Sequence, residues 1–300
     1  MTAKAASGVR PFRMISGVSK LADLVDGMGA LGSVVAAGGR WYYCDRTNGT
    51  GNGDTAETAC ASLETAYGLC RDGRNDGVFF IGGATAYTPS TAGGIVWSKN
   101  FTHLIGLTND LAGMGQRARI VNTAANDLSV LFTMSGSGNL VSNIQFFDGK
   151  DSAADGACLL VSGSRNHFVN CFVAGMGDAT ASGPATRSGS YSAKVTGSEN
   201  QFSSCTIGLD TVARTAANAE LIVTGARNRF VGCEFLSNST TSTHNLVSIA
   251  STTGDMRTIR FDDCLFHNYT TNYATGITDA FKMTVVNTVY VLLDANCRLS

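Results

Sequence analysis

At 300 residues the chain is long enough for one large domain with a substantial core. It carries 22 basic against 23 acidic residues, a formal net charge of −1, so no global field favours nucleic acid or an anionic membrane. Only 15% of the residues are charged while 44% are hydrophobic, and no run reaches the roughly eighteen apolar residues of a membrane span.

The N-terminus is the one lopsided region. Lys4, Arg10, Arg13 and Lys20 all precede the first acid, Asp23. Residues 1–18 lack periodicity and read as an arm, either held against an acidic partner surface or a solvated tail. No secretory signal is expected, because Lys20, Asp23 and Asp26 interrupt any apolar stretch. From Ser19 the spacing of Leu21, Leu24, Val25 and Met28 predicts a short helix with one apolar face. The string GMGALG that follows matches a dinucleotide fingerprint in letters alone, since it follows a helix and opens none. Trp41 to Cys44 predict a strand and residues 46–54 a polar turn. Residues 55–70 place Ala59, Leu63, Ala66, Tyr67 and Cys70 on one helical face, and VFFIGG (78–83) is a further strand. The expected division is an arm with a short helix at 1–40 and a repeat domain at 41–300.

The second half repeats a phrase. Residues 162–173 read SGSRNHFVNCFV, 196–207 TGSENQFSSCTI and 224–235 TGARNRFVGCEF; looser copies stand at 135–146 (SGSGNLVSNIQF) and 259–266 (IRFDDCLF). Recurrence at this interval marks stacked repeats, each burying its apolar face on the next. Four positions recur. Gly163, Gly197 and Gly225 fit a corner that needs positive φ. Asn139, Asn166, Asn200 and Asn228 share a register from which side-chain amides can bond from rung to rung. Phe168, Phe202, Phe230 and Phe261 precede Cys171, Cys205, Cys233 and Cys264 by three residues, so a bend between them is needed for both to point inward. Val141 and Ile144 fill these two slots in the first copy, which makes the thiols core filler rather than chemistry. Nine cysteines with no C-x-x-C pair, and four scattered His, predict reduced thiols, no zinc site and no cofactor.

Strand, Asn/Gly-rich turn, short helix and the VFFIGG strand, followed by KNFTHLIGL (99–107), resemble the opening of pectin-lyase-like right-handed parallel β-helix proteins. The resemblance spans about residues 40–293 and implies a helical cap over the first coil. Enzymes of that family cleave acidic polysaccharides with aligned Asp ligands and an Arg or Lys base, or with clustered Asp and a nearby His; neither set stands out here. The nearest remnants are Asp262, Asp263 and His267 with Glu234, read as a solvated rung edge, and Asp148, Asp151 and Asp155, which lack calcium-loop spacing. Trp41, Tyr42 and Tyr43 are expected to pack under the cap helix rather than form a sugar platform.

The loops between copies (174–192, 236–245 and 267–276) recur at one phase and so should leave one side of the coil. A recognition surface and tolerated drift stand level as explanations. Absent catalytic residues and a Ser/Thr/Asn/Gly-rich style similar to phage β-helix proteins predict a non-enzymatic virion protein, made in the host cytoplasm. It is expected to be a homotrimer decorating the capsid shell, with no membrane or nucleic-acid partner. The alternative is a tailspike or receptor-binding protein that binds or cleaves a host glycan; a bacterial adhesin is a third.

Overall fold

The computed structural model describes residues 38–300 except 91–92, 108–117, 123–127, 150–156, 182, 240, 252–256, 271–279 and 286–288. The basic residues Lys4, Arg10, Arg13 and Lys20, the helix expected at 19–28, and Asp151 and Asp155 lie outside them.

Three parallel sheets wind into one coil. Among the described residues sheet one has nine strands, from Trp41–Asp45 and Asp76–Ile81 to Val289–Leu293, and sheets two and three have seven each. One rung reads His167–Val169 in sheet one, Phe172–Ala174 in sheet two and Tyr191–Val195 in sheet three, before Gln201–Ser203 returns to sheet one. Every strand pairs in parallel with its counterpart one rung away, so connections circle the core in one sense. The fold is a right-handed parallel β-helix, the hand that parallel crossovers take.

From Ser142 onward the chain turns from sheet one to sheet two in two residues, the first of them left-handed. Asn143, Asn170, Ser204, Gly232 and Asp263 sit at that bend, each with φ between 50° and 58°. The bend turns Phe168 and Cys171 both inward, each at most 2% exposed. The turn from sheet three back to sheet one holds a second left-handed residue, at Gly138, Arg165, Glu199 and Arg227. Here the expectation for glycine is corrected. Gly163, Gly197 and Gly225 do not have positive φ; a Cβ on each would lie 1.8–1.9 Å from the carbonyl oxygen of the equivalent glycine one rung earlier. Close stacking of backbone on backbone, not torsional freedom, requires glycine there.

In-register side chains hold the rungs together. Phe168, Phe202, Phe230 and Phe261 stack with centroids 4.6–5.1 Å apart and ring planes within 16°. Each buried ring removes apolar surface worth about 1.5–3 kcal/mol. The Asn column is a two-contact ladder. Asn166 Oδ1 accepts from the Asn139 N–H at 2.9 Å, and its Nδ2 donates to the Gly136 carbonyl at 3.0 Å. Asn200 and Asn228 repeat both contacts on the rung below them. Asp76 begins the column, where it accepts the Arg40 and Arg71 N–H groups and pairs with Arg74. A carboxylate suits that position because it faces donors and a guanidinium, not a glycine carbonyl.

The capping helix is shorter than 55–70 suggests. It spans Leu63–Leu69, started by Ser62, whose hydroxyl accepts from the Thr65 N–H at 3.0 Å. The preceding residues are tied to the first strand instead, through an isolated backbone β-bridge between Cys44 and Cys60, whose thiols are free, and the Asp45 N–H donating to the Cys60 carbonyl. Leu63 and Ala66 close the core end together with Tyr42 and Cys44. Trp41 and Tyr43 do not pack under this helix. Strand alternation sends them to the outer face of sheet one, beside Phe79.

Candidate functional site

Between sheets two and three the connection after Ala174 runs on to Tyr191, and shorter ones join Arg214 to Ala219 and Ser239 to Asn245. There the strand Thr206–Arg214 runs past the coil and returns into Ala219–Val223, bringing Arg214 and Glu220 together. Both side chains are fully buried, with Arg214 Nε 2.8 Å from Glu220 Oε1. The other guanidinium nitrogens donate to the carbonyls of Met176, Val212 and Leu209. Ser192 donates to Glu220 Oε2 at 2.5 Å. Ser192 and Glu220 stand at the strand position that Cys158 occupies one rung earlier and Leu246 one rung later, so a charged pair replaces apolar packing there.

His244 completes the cluster. Its Nδ1 lies 2.5 Å from Asn218 Oδ1 and its Nε2 2.8 Å from the Ser237 hydroxyl. Because Asn218 Nδ2 donates to the Ala185 carbonyl, Asn218 Oδ1 accepts and the imidazole proton sits on Nδ1. Burial, and secondarily the Arg214 charge, push the His244 pKa down to about 3, so the ring is neutral. Burial likewise pushes the Glu220 carboxyl up, against the pull of Arg214. With no solvent access, the cluster is no acid–base machine. It ties the loop after Ala174 and the strand past Leu209 to sheet three, and so shapes the adjoining surface.

A cavity of about 100 Å3 opens beside it, lined by residues that include Gly189, Ser190, Asn218, Thr243, Asn245 and Lys282. Pockets that enclose a drug-sized ligand run to roughly 300–1,000 Å3, so this one suits a short polar group. The Ser190 hydroxyl is buried there without a partner.

The residues singled out from sequence fall elsewhere. Phe168, Phe202, Phe230 and Phe261 with Cys171, Cys205, Cys233 and Cys264 line the coil's interior, and Asn139, Asn166, Asn200 and Asn228 line one of its corners, all at most 3% exposed. Each thiol faces the carbonyl of the Phe position one rung earlier, as in Cys205 to Phe168 (3.5 Å) and Cys233 to Phe202 (3.4 Å). Burial pushes the Cys205 and Cys233 thiols well above their ordinary range. Cys297 joins the same column by facing the Phe261 carbonyl at 3.4 Å. Its position 33 residues after Cys264 was the available signal.

The carboxylates are spent on structure or point apart. Asp262 accepts from Arg229 at 2.7 Å and Arg260 at 2.5 Å; burial works against its charge, but these two guanidinium groups win and hold the carboxyl below its usual range. Asp263 stands on the bend, and its N–H donates to Asp294. Glu234 reaches Thr206, and His267 reaches the Ser300 hydroxyl. Among the described residues no group of three or more His, Cys, Asp or Glu could hold a metal ion, and no helix is long and apolar enough to cross a membrane.

No known family profile matches the sequence, and no curated protein matches it. Among solved structures it is similar to the pectin methylesterase from Aspergillus niger at 13% identity and a TM-score of 0.47, over 86% of this chain and 85% of that one. It is also similar to a pectate lyase, Pel9A, at 14% identity and a TM-score of 0.41, over 88% and 80% of the two chains. A third similar chain is ORF18 of Geobacillus virus E2, at 14% identity and a TM-score of 0.35, over 94% and 65%.

Proposed function

We propose that this pectin-lyase-like right-handed parallel β-helix is a non-enzymatic structural protein of a tailed-bacteriophage particle, a homotrimer that decorates or stabilises the capsid shell. One observation carries the reading: interior columns of the coil run on into exposed apolar side chains. Met283, Leu293 and Leu299 continue the interior columns of Ile249, Phe261 and Phe266, yet they are 47%, 50% and 68% exposed. Exposed apolar surface of this kind is stable when another chain covers it. The spent carboxylates support a binding rather than a catalytic role. Native mass spectrometry of the purified chain, with cryo-microscopy of the particles of the phage that encodes it, tests this. A trimer seated on the capsid supports the proposal; a stable monomer absent from the particles overturns it.

A second reading, a tailspike or receptor-binding protein that binds or cleaves host polysaccharide, is favoured by the cavity at Ser190 and Lys282. It requires glycan binding that Lys282→Ala abolishes. Its hydrolase form requires two accessible carboxyl groups about 5–9.5 Å apart.

A further inference from the structure

Sheet three carries a column of outward side chains in register, Lys194, Ile222, Ser248 and Lys282, one from each of four successive rungs. The cavity beside the Arg214–Glu220 cluster is lined by the last three of them. With Ser190 its lining comes from all four rungs, so it is a slot along the axis, with about 14 Å between its end rungs at a spacing of about 4.8 Å. Among the described residues that line it, Lys282 is the one charged side chain, and none is a carboxylate. Glu220, next to the lining Ala219, is fully buried and held by Arg214 and Ser192, so it does not pair with Lys282. At the other end of the column Lys194 Nζ stands 5.5 Å from the ring centre of Tyr191, the neighbour of Ser190. Both ends of the column therefore carry an ammonium group.

Ser190 is a second, independent pointer to a ligand. Ser190, Asn218 and His244 immediately precede Tyr191, Ala219 and Asn245, which pair in register, so they hold one position on three successive rungs. Asn218 and His244 bond to each other, to the Ala185 carbonyl and to the Ser237 hydroxyl. The Ser190 hydroxyl is fully buried and has no partner. A buried hydroxyl left unbonded is unfavourable, so a group that enters the slot gains by accepting its proton.

We infer that the slot takes a phosphoryl group carried on a small polyol. The phosphoryl oxygens sit at the Lys282 ammonium and the Ser248 hydroxyl, the polyol carbons lie over Ile222, and a polyol oxygen reaches Ser190. The donors select phosphate over carboxylate. A planar carboxylate is best held by the two-pronged guanidinium, and no arginine lines the slot. Lysine offers a point charge and serine a hydroxyl that rotates, which suit oxygens spread tetrahedrally around phosphorus. Ile222 calls for carbon beside that charge, which inorganic phosphate lacks. The inference rests on the receptor-binding reading of this cavity and names the group that such a receptor presents.

Glycerol 3-phosphate is the probe, titrated into the full chain by calorimetry, with inorganic phosphate, glycerol and glucuronate in parallel. Glycerol 3-phosphate should bind most tightly and inorganic phosphate more weakly. Lys282→Gln should weaken binding by about tenfold to a hundredfold, the range for a hydrogen bond to a charged group. Ser190→Ala should also weaken it, yet leave the Tm of the unliganded chain unchanged or higher, because it deletes a buried hydroxyl that has no partner. A lower Tm with undiminished binding makes the serine structural and overturns the proposal. No binding of glycerol 3-phosphate, or tighter binding of glycerol or glucuronate, overturns it as well. A host polysaccharide without phosphate that binds through Lys282 overturns it too but leaves the receptor-binding reading standing, whereas a chain that binds neither phosphate nor polysaccharide loses both.

Discussion

Truncating one ladder residue, Asn200→Ala, removes two contacts to the rung below. Asn200 Oδ1 accepts from the Asn166 N–H at 2.9 Å, and its Nδ2 donates to the Gly163 carbonyl at 3.1 Å. Asn166 and Asn200 are each 1% exposed, so water cannot replace the lost acceptor. Leaving the Asn166 N–H buried and unpaired costs about 1–3 kcal/mol, and losing the second bond about 0.5–1.5 kcal/mol. Urea unfolding followed by circular dichroism should therefore show a loss of about 2–4 kcal/mol, a large share of the roughly 5–15 kcal/mol that holds a domain folded. Asn200→Asp discriminates further. It keeps an oxygen for the Asn166 N–H but turns a second oxygen toward the Gly163 carbonyl. At neutral pH it should be worse than Ala, recovering on acidification as the carboxyl gains a proton to donate. An Ala variant within about 0.5 kcal/mol of the parent, the range of surface changes, would refute the ladder as a source of stability.

Gly197→Ala places a methyl 1.8 Å from the Gly163 carbonyl oxygen, so it should prevent folding or lower Tm steeply, while Gly189→Ala, which meets nothing within 4 Å, tests torsion alone at φ 88° and should cost less; equal losses would contradict the stacking argument. Glu220→Gln should destabilise by about 3–5 kcal/mol because it strands the buried Arg214 charge, and pairing it with Arg214→Met should recover most of that; additive losses in a double-mutant cycle would deny the pair. His244 and His103 have folded pKa values held down to about 3 and about 4, His244 by burial and the Arg214 charge and His103 by burial. Between those values and the unfolded value near 6.5 the unfolded chain binds more protons, so stability should fall as pH drops from 7 to 5. Urea midpoints that do not move over that range, or a His103→Phe, His244→Gln variant with the same pH slope, would count against this account.

The fold was legible because its determinants are periodic. Phe, Cys, Asn and Gly recur at fixed offsets, and a parallel coil places equal offsets on top of one another. The glycine rationale failed for a physical reason: a residue's own torsion and its neighbour's proximity both select glycine, and sequence does not separate them. The cap helix came out shorter because Ser62 offers an N-cap inside the expected span, leaving 55–61 to bond the first strand. Arg214, Glu220 and His244 give no sequence signal because two adjacent rungs bring them together and no repeated spacing links them. One trace existed: Glu220 stands in AELIV where the neighbouring rungs read ACLLV, YSAKV and NLVSI. Asp262 and Asp263 drew attention by adjacency, which on a strand and its bend sends side chains apart.

The asparagine ladder also gives the coil a polarity. Each amide closes the rung before its own, never the one after, so a rung is finished only when its successor is laid down. The column starts on Asp76 and stops at Asn228, since Ile259 holds that position in the next rung. In this column each turn from Asn139 to Asn228 makes two amide contacts to the turn before it, and the turn of Ile259 makes none. The amide contacts thus give the coil a direction, each rung from Asn139 to Asn228 being tied back towards the capped end.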